Sequence, residues 1–199
     1  MAPIEDSENA GQPDGRRERS ERSREAIVQA LQDLIREGHL IPTAEQVAKR
    51  ADVGVRTVFR HFDDMDNLLC SVSDRVTAEV RALFVTEDQT GPLATRITRL
   101  VDLRCLLYDR IAPFVRANAI LRWRSELMLD QHNTLVRLLR RDMRRWVPEI
   151  DSMDKEVAEA LEVCLSFESW NRLRVDQRLS AKRTAQTIER MVRAVLARD

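Results

Sequence analysis

Apolar side chains along the chain recur at the three-and-four spacing of helices and nowhere at the alternation of strands. From Ser23 the stripe Ile27, Ala30, Leu31, Leu34 and Ile35 predicts a first helix that stops at Gly38. Thr43 opens a second, because it is a good N-cap, Gln46 three residues on completes a capping-box pattern, and Val47, Ala48 and Ala51 share one face. After a break at Asp52, Val53 and Gly54, a short helix over residues 55–62 turns Val58, Phe59 and Phe62 inward. Asp64 then caps a longer fourth helix through Leu68, Leu69, Val72, Val76, Val80 and Leu83.

The second half reads as helical throughout. Gly91 and Pro92 start a helix carrying Ile97, Leu100, Val101 and Leu107, Pro113 breaks the stretch that follows, and a long helix over residues 120–146 stops before Pro148. Asp151 or Ser152 caps a helix reaching about residue 174, and Ser180 caps a last one to about residue 197. There is no internal repeat. The predicted fold is all-α: three short N-terminal helices, a long connecting helix and a larger helical bundle. Residues 1–22 stand apart, being polar, poor in large apolar side chains and arginine-rich in "RRERSERSR", the composition of a disordered arm. The expected organisation is that arm, a domain over residues 23–70 and a larger one over residues 71–199.

Composition narrows the classes of function more than it changes the fold. Hydrophobic residues make up 43% and charged residues 33%, while Gly and Pro number only 5 and 6, as in a helical globular protein. No apolar run approaches the roughly 18 residues that span a bilayer, and the N-terminus lacks the hydrophobic core of a signal peptide, so a cytoplasmic protein without membrane contact is expected. Cys70, Cys105 and Cys164 are odd in number and unpatterned in spacing, which reads as reduced, buried thiols. Cys105, His132 and Asp130 supply the residue types of a thiol nucleophile and its base, yet no local motif joins them. His39, His61 and His132 are scattered beyond metal-ligand spacing. Neither catalysis nor a cofactor or metal is expected.

The net charge is zero, so affinity for nucleic acid must come from where charge sits. A helix-turn-helix needs a small residue where its helices touch, a turn residue tolerant of positive φ four positions later, and an apolar residue locking the second helix from beneath; Ala48, Asp52 and Val58 stand at that spacing. Val55, Arg56, Thr57, Arg60 and His61 then form the outer face of a helix small enough for a major groove, rich in groups that bond phosphate or the guanine edge. Surface arginines on a helix pair can also mark no more than a bundle corner. Here the turn spacing and the run "VRTVFRHF" favour DNA.

These residues resemble the TetR-type transcriptional regulators. The resemblance rests on Thr43 through Leu68, densest in "VRTVFRHFDDMDNL", and the later "SFESWNRLR" and "LSAKRTAQTIERMVRAVL" are similar to the family's closing helices. It implies that Thr43, Thr57 and His61 contact phosphate and that Val55, Arg56 and Arg60 read bases or adjacent phosphates. Asp52 stands in place of the family's turn glycine, Gly54 in place of a capping Ser or Thr, and Phe59 and Met65 in place of a tyrosine and a lysine that reach phosphate.

The resemblance further implies a homodimeric one-component regulator, a repressor released from a pseudo-palindromic operator by a small molecule held in the domain over residues 71–199. Apolar residues exceed one stripe in the helices after residues 152 and 180, which agrees with a four-helix dimer interface through Val163, Phe167, Ile188, Met191 and Val195. Candidate pocket residues for an apolar or aromatic effector are Leu103, Leu107, Tyr108, Phe114, Trp123, Leu127, Met128, Phe167 and Trp170, with Arg104, Glu126, His132, Glu168 and Asn171 as polar groups. Each of these aromatics is more often plain core than pocket lining. Two other readings stay open, a DNA-binding protein governed by a protein partner or by nucleoid association, and a cysteine redox sensor. The stripe Arg137, Arg140, Arg141, Arg144 and Arg145 reads as a solvated face or as a seat for an acidic partner.

Overall fold

The structure is a computed structural model that describes residues 12–85 and 88–197. Every regular element among them is helical, and none is long and apolar enough to cross a membrane. The chain divides into two compact units, Met1–Val72 and Ser73–Asp199.

The first unit contains α1 (Gln12–Arg36), α2 (Ala44–Arg50), α3 (Val55–His61) and the opening turns of α4 (Met65–Val85). Ile27, Leu31, Ile35, Val47, Val58 and Leu68 make its core. Helix α1 begins well before Ser23, so residues 12–22 are helical rather than a disordered arm; residues 1–11 of that expected arm lie outside the described residues. Polarity forbids that segment a core but not a helix. Arg and Glu have high helix propensity, and Arg22 sits 4.0 Å from Glu18 one turn away. Thr43 forms the capping box, accepting from Gln46 N at 3.2 Å while its own N–H donates to Gln46 Oε1 at 2.8 Å. Arg50 clamps Glu37 through two hydrogen bonds of 2.8 and 2.6 Å, fixing α2 against the end of α1. Asp64 caps α4, accepting from Asn67 N at 2.8 Å.

The second unit is arranged around α5 (Leu93–Leu121), which packs against α6 (Glu126–Trp146) on one side and α9 (Ala181–Leu196) on another. Between α6 and α9 come a 3-10 turn (Pro148–Ser152), α7 (Lys155–Cys164), α8 (Phe167–Asn171) and a π-turn (Arg172–Asp176). Three boundaries differ from the pattern. Pro113 lies inside α5 and does not break it, because Ile111, Ala112, Phe114 and Ala117 around it are all buried and tertiary packing outweighs local propensity. The helix expected over residues 120–146 is two, since the chain turns after Leu121 and Ser125 occupies the N-cap of α6 with extended backbone. The helix expected from Asp151 or Ser152 to residue 174 starts with Asp154 as its cap and ends at Cys164; Ser166 then caps α8, accepting from Ser169 N at 3.1 Å. Ser180 caps α9, accepting from Arg183 N at 3.3 Å.

Two buried arginines stitch the unit together. Arg96 donates from Nε to Gly91 O at 3.0 Å and also bonds Trp146 O and Glu149, joining the start of α5 to the end of α6. Arg104 is fully buried with Asp142, Nη2 to Oδ2 at 2.9 Å, and its Nη2 also donates to Leu139 O at 2.6 Å. The Phe84 ring lies 5.4 Å from the Arg104 guanidinium carbon.

Candidate nucleic-acid interface and ligand cleft

Helices α2 and α3 meet at the turn the sequence specifies. Asp52 adopts φ 54°, and Val53 N donates to Ala48 O at 3.0 Å to close the end of α2. Asp is one of the few non-glycine residues that visit this left-handed region readily. Gly54 caps α3 by backbone alone, its carbonyl accepting from Thr57 N at 2.8 Å. Ala48 and Val58 are buried between the helices.

Seven residues of α3 bury only Val58. Arg56 and Arg60 lie one turn apart in solvent, with no ion pair to either among the described residues. Phe59, expected to face inward, is 48% exposed and stands one turn from the exposed Val55. Val58 and Phe62 already fill the space beneath so short a helix, and the ring is left on the outer face. That position would have been legible from its i,i+4 spacing to Val55. Thr43 is exposed at the foot of α2, and Thr57 is half-buried. His61 is half-buried with Nε2 enclosed and without a partner among the described residues. Burial, followed by the charges of Arg60 and Arg24, lowers its pKa below the usual 6.5.

In the second unit a cavity of about 70 Å³ opens between α5, α6 and the corner from α7 to α8. Tyr108 and Phe167 line it, as do Arg104, His132 and Glu168 among the expected polar groups. Phe114 lines an adjoining space of about 40 Å³ that shares Val115, His132 and Leu135 with the first. Leu103, Leu107, Met128 and Trp170 are core. Trp123, 81% exposed in the turn before α6, and Leu127, 44% exposed on its first turn, are no part of either space. Glu126 is exposed on that same turn, and Asn171 accepts from Arg116 at 3.0 Å. Much of the wall is Leu135, Val136, Leu139 and Met143 of α6, whose apolar stripe the sequence displays only as the back of an arginine stripe.

The cavity's aromatic residues Tyr108 and Phe167 are in ring contact with each other and with Trp170 behind them. Tyr108 meets Phe167 edge-on at 5.6 Å and Trp170 at 5.9 Å, while Phe167 and Trp170 are 5.5 Å apart. Tyr108 donates its hydroxyl to Leu165 O at 2.7 Å, and burial pushes its pKa up to about 12. One turn before Tyr108 on α5, Arg104 Nε is enclosed without a partner among the described residues. Burial also pushes the Cys105 thiol up to about 12 and raises that of Cys164, the reverse of the thiolate character a redox sensor needs.

Of the expected interface residues, Val163 is 64% exposed on α7, and Met191 and Val195 are half-buried on α9. Ile188 is only 1% exposed, so it belongs to the core of the protomer and offers no surface to a partner. Phe167 is engaged by Tyr108 and Trp170.

A capped helix, a left-handed turn and a second helix with an outward arginine face, in an all-helical chain with a second helical unit, define a helix-turn-helix architecture. The chain has the fold of the TetR-type regulators. It is similar to a transcriptional regulator of Rhodococcus sp. Rha1 with a TM-score of 0.68, at 14% identity over 89% of this chain and 96% of that one. A protein titled a TetR-family transcriptional regulator, from Mesorhizobium loti, gives a TM-score of 0.62 at 16% identity over 90% and 97%. A transcriptional regulator of Pseudomonas aeruginosa PAO1 gives 0.61 at 19% identity over 91% of each chain. No family model matches the sequence, and no curated protein matches it.

Proposed function

We propose that the protein is a homodimeric one-component transcriptional regulator, a repressor that inserts α3 into the major groove of a pseudo-palindromic operator and is released by a small apolar or aromatic effector. The observation that carries the reading is the outer face of α3. Arg56 and Arg60 stand in solvent without a counter-charge among the described residues, beside an exposed Phe59 that no core claims. Guanidinium groups bond guanine edges and phosphates, and an aromatic ring packs on the thymine methyl group. Thr43, Thr57 and His61 flank this face as phosphate donors, and Val55 adds an apolar contact.

The effector's place is the space bounded by Tyr108, Phe167, Leu135, Leu139 and Arg104. At about 70 Å³ it is well short of the roughly 300 Å³ of a small-molecule site, so a ligand enters only an enlarged form. A ligand that binds one arrangement better shifts the population toward it, and a tenfold loss of operator affinity needs about 1.4 kcal/mol of that preference.

The test is selection of bound sequences from a random duplex pool by the full chain. The expected product is a two-fold motif with half-sites about one helical turn apart. Arg56→Ala and Arg60→Ala should each weaken the selected site by about 1 to 3 kcal/mol when the arginine reads a base. Enrichment of no sequence, or parent-like binding by both variants, would sink the reading.

A further inference from the structure

The cleft between the last turns of α4 and the outer face of α6, wholly within the second unit, serves neither of these roles. Its volume is about 490 Å³, inside the range of small-molecule sites and far larger than the cavity behind α6. Arg81 and Phe84 of α4 form one wall; Arg137, Leu138, Arg141 and Arg145 of α6 form the other.

Helix α6 sorts its arginines by partner. Arg140 bonds Glu162 and Arg144 bonds Asp151, so the row on the side of α7 is neutralised. Arg137, Arg141 and Arg145, at i, i+4 and i+8, have no carboxylate of their own among the described residues; Arg137 donates only to Thr134 Oγ1 at 3.0 Å. The single acid among the described residues that line the cleft, Asp142, is buried and committed to Arg104 at 2.9 Å, and Arg145 acts on it only at longer range. Arg81 adds a fourth cation from the facing helix. Like charges one turn apart repel, and a fourth brought across the gap repels all three. The negative end of the α6 dipole accounts for Arg145 but not for Arg137 in mid-helix or for Arg81. Half-buried Leu138 and the small part of Phe84 left uncovered, 3% of it, give the charged rim an apolar floor.

We propose that this cleft binds a small organic polyanion of nucleotide size carrying two or more phosphate groups, its phosphates held by Arg81, Arg137, Arg141 and Arg145 and its body laid over Phe84 and Leu138. The planar guanidinium fork matches phosphate oxygens in pairs, and four forks around one concavity fit several phosphates in sequence. The concavity, bounded on both sides by helix, suits a compact ligand; a duplex backbone needs an open surface.

The test is titration calorimetry of the full chain with metal-free ATP and with inorganic pyrophosphate. The expected result is saturable binding of one ATP per chain, weakened by salt, with pyrophosphate binding less tightly because it lacks a body for the floor. Arg81→Gln and Arg141→Gln, both at exposed positions, should each weaken ATP at least tenfold, and Arg140→Gln, on the neutralised row, should leave it unchanged. No saturable binding by the parent, or an equal loss in Arg140→Gln, overturns the proposal. In an Arg56→Ala, Arg60→Ala background, displacement of ATP by random duplex DNA would instead assign the cleft to a nucleic-acid backbone and overturn it as well.

Discussion

His61 is the residue whose charge state the fold controls most directly at the candidate interface. Its pKa is lowered by burial and then by Arg60 and Arg24, so between the folded value and 6.5 the unfolded chain binds a proton that the folded chain does not. Stability is therefore present above the unfolded value and lost as pH falls through that window. His132, lowered by burial and by Arg122, contributes with the same sign in the second unit. Thermal melting is expected to decline from pH 7.5 to 5.5, and His61→Gln should remove its share of the slope while leaving that of His132. A phosphate placed against the ring favours the charged form, so operator affinity in the parent should rise over the same fall in pH. A His61→Gln protein whose melting follows pH as steeply as the parent's would refute this.

At the scale of elements, the ion pair between α5 and α6 makes a sharp test of what holds the second unit together. Burial raises the pKa of Asp142 against the pull of Arg104, the mark of a carboxylate whose desolvation outweighs its attraction to its partner. Removing one partner strands a buried charge. Arg104→Met or Asp142→Leu alone should cost about 3 to 5 kcal/mol, while the two together should return close to the parent in denaturant unfolding. Comparable losses in the single and double variants would mean that packing, not charge, dominates. The elements that announced themselves in the sequence are those fixed by local chemistry: Thr43 and Gln46, the turn at Asp52, Asp64 and Ser180. The chain break at Arg122, Trp123 and Arg124 has no Gly or Pro to mark it, and the continuity of α5 through Pro113 is decided by burial that one strand of sequence does not display. On α3 the exposure of Val55, Arg56 and Arg60 was readable, whereas that of Phe59 and the partial burial of Thr57 and His61 were not. The cavity was half readable, because Tyr108 and Phe167 are conspicuous whereas the α6 wall exists only once α5 and α8 are in place.

On the proposed function, operator recognition would depend on assembly of the whole molecule, since a two-fold site needs two copies of α3. Val163 gives the cleanest probe because it is exposed in the protomer, unlike Ile188, where a charge would destroy the core before it reached any interface. Val163→Lys should leave the melting of the isolated protomer nearly unchanged, shift sedimentation from dimer to monomer, and reduce operator affinity in step. A parent protein that sediments as a monomer at micromolar concentration would end the dimer proposal.

Pro113 has a consequence for how the molecule deforms. It sits about two-thirds of the way along α5, where it has no N–H to give Asp109 O, between two residues that line the small spaces, Tyr108 and Phe114. A proline inside a helix costs about 3 kcal/mol and leaves the rod without one of its internal ties. On the proposed function, the central strut lacks a tie beside the cavity that an effector would have to widen, and bending there would enlarge the space without unpacking either end of α5. Pro113→Ala should raise the melting temperature, slow amide hydrogen exchange over the turns on either side, and reduce effector uptake. Faster exchange there in Pro113→Ala than in the parent would show that the ring braces the strut rather than softening it.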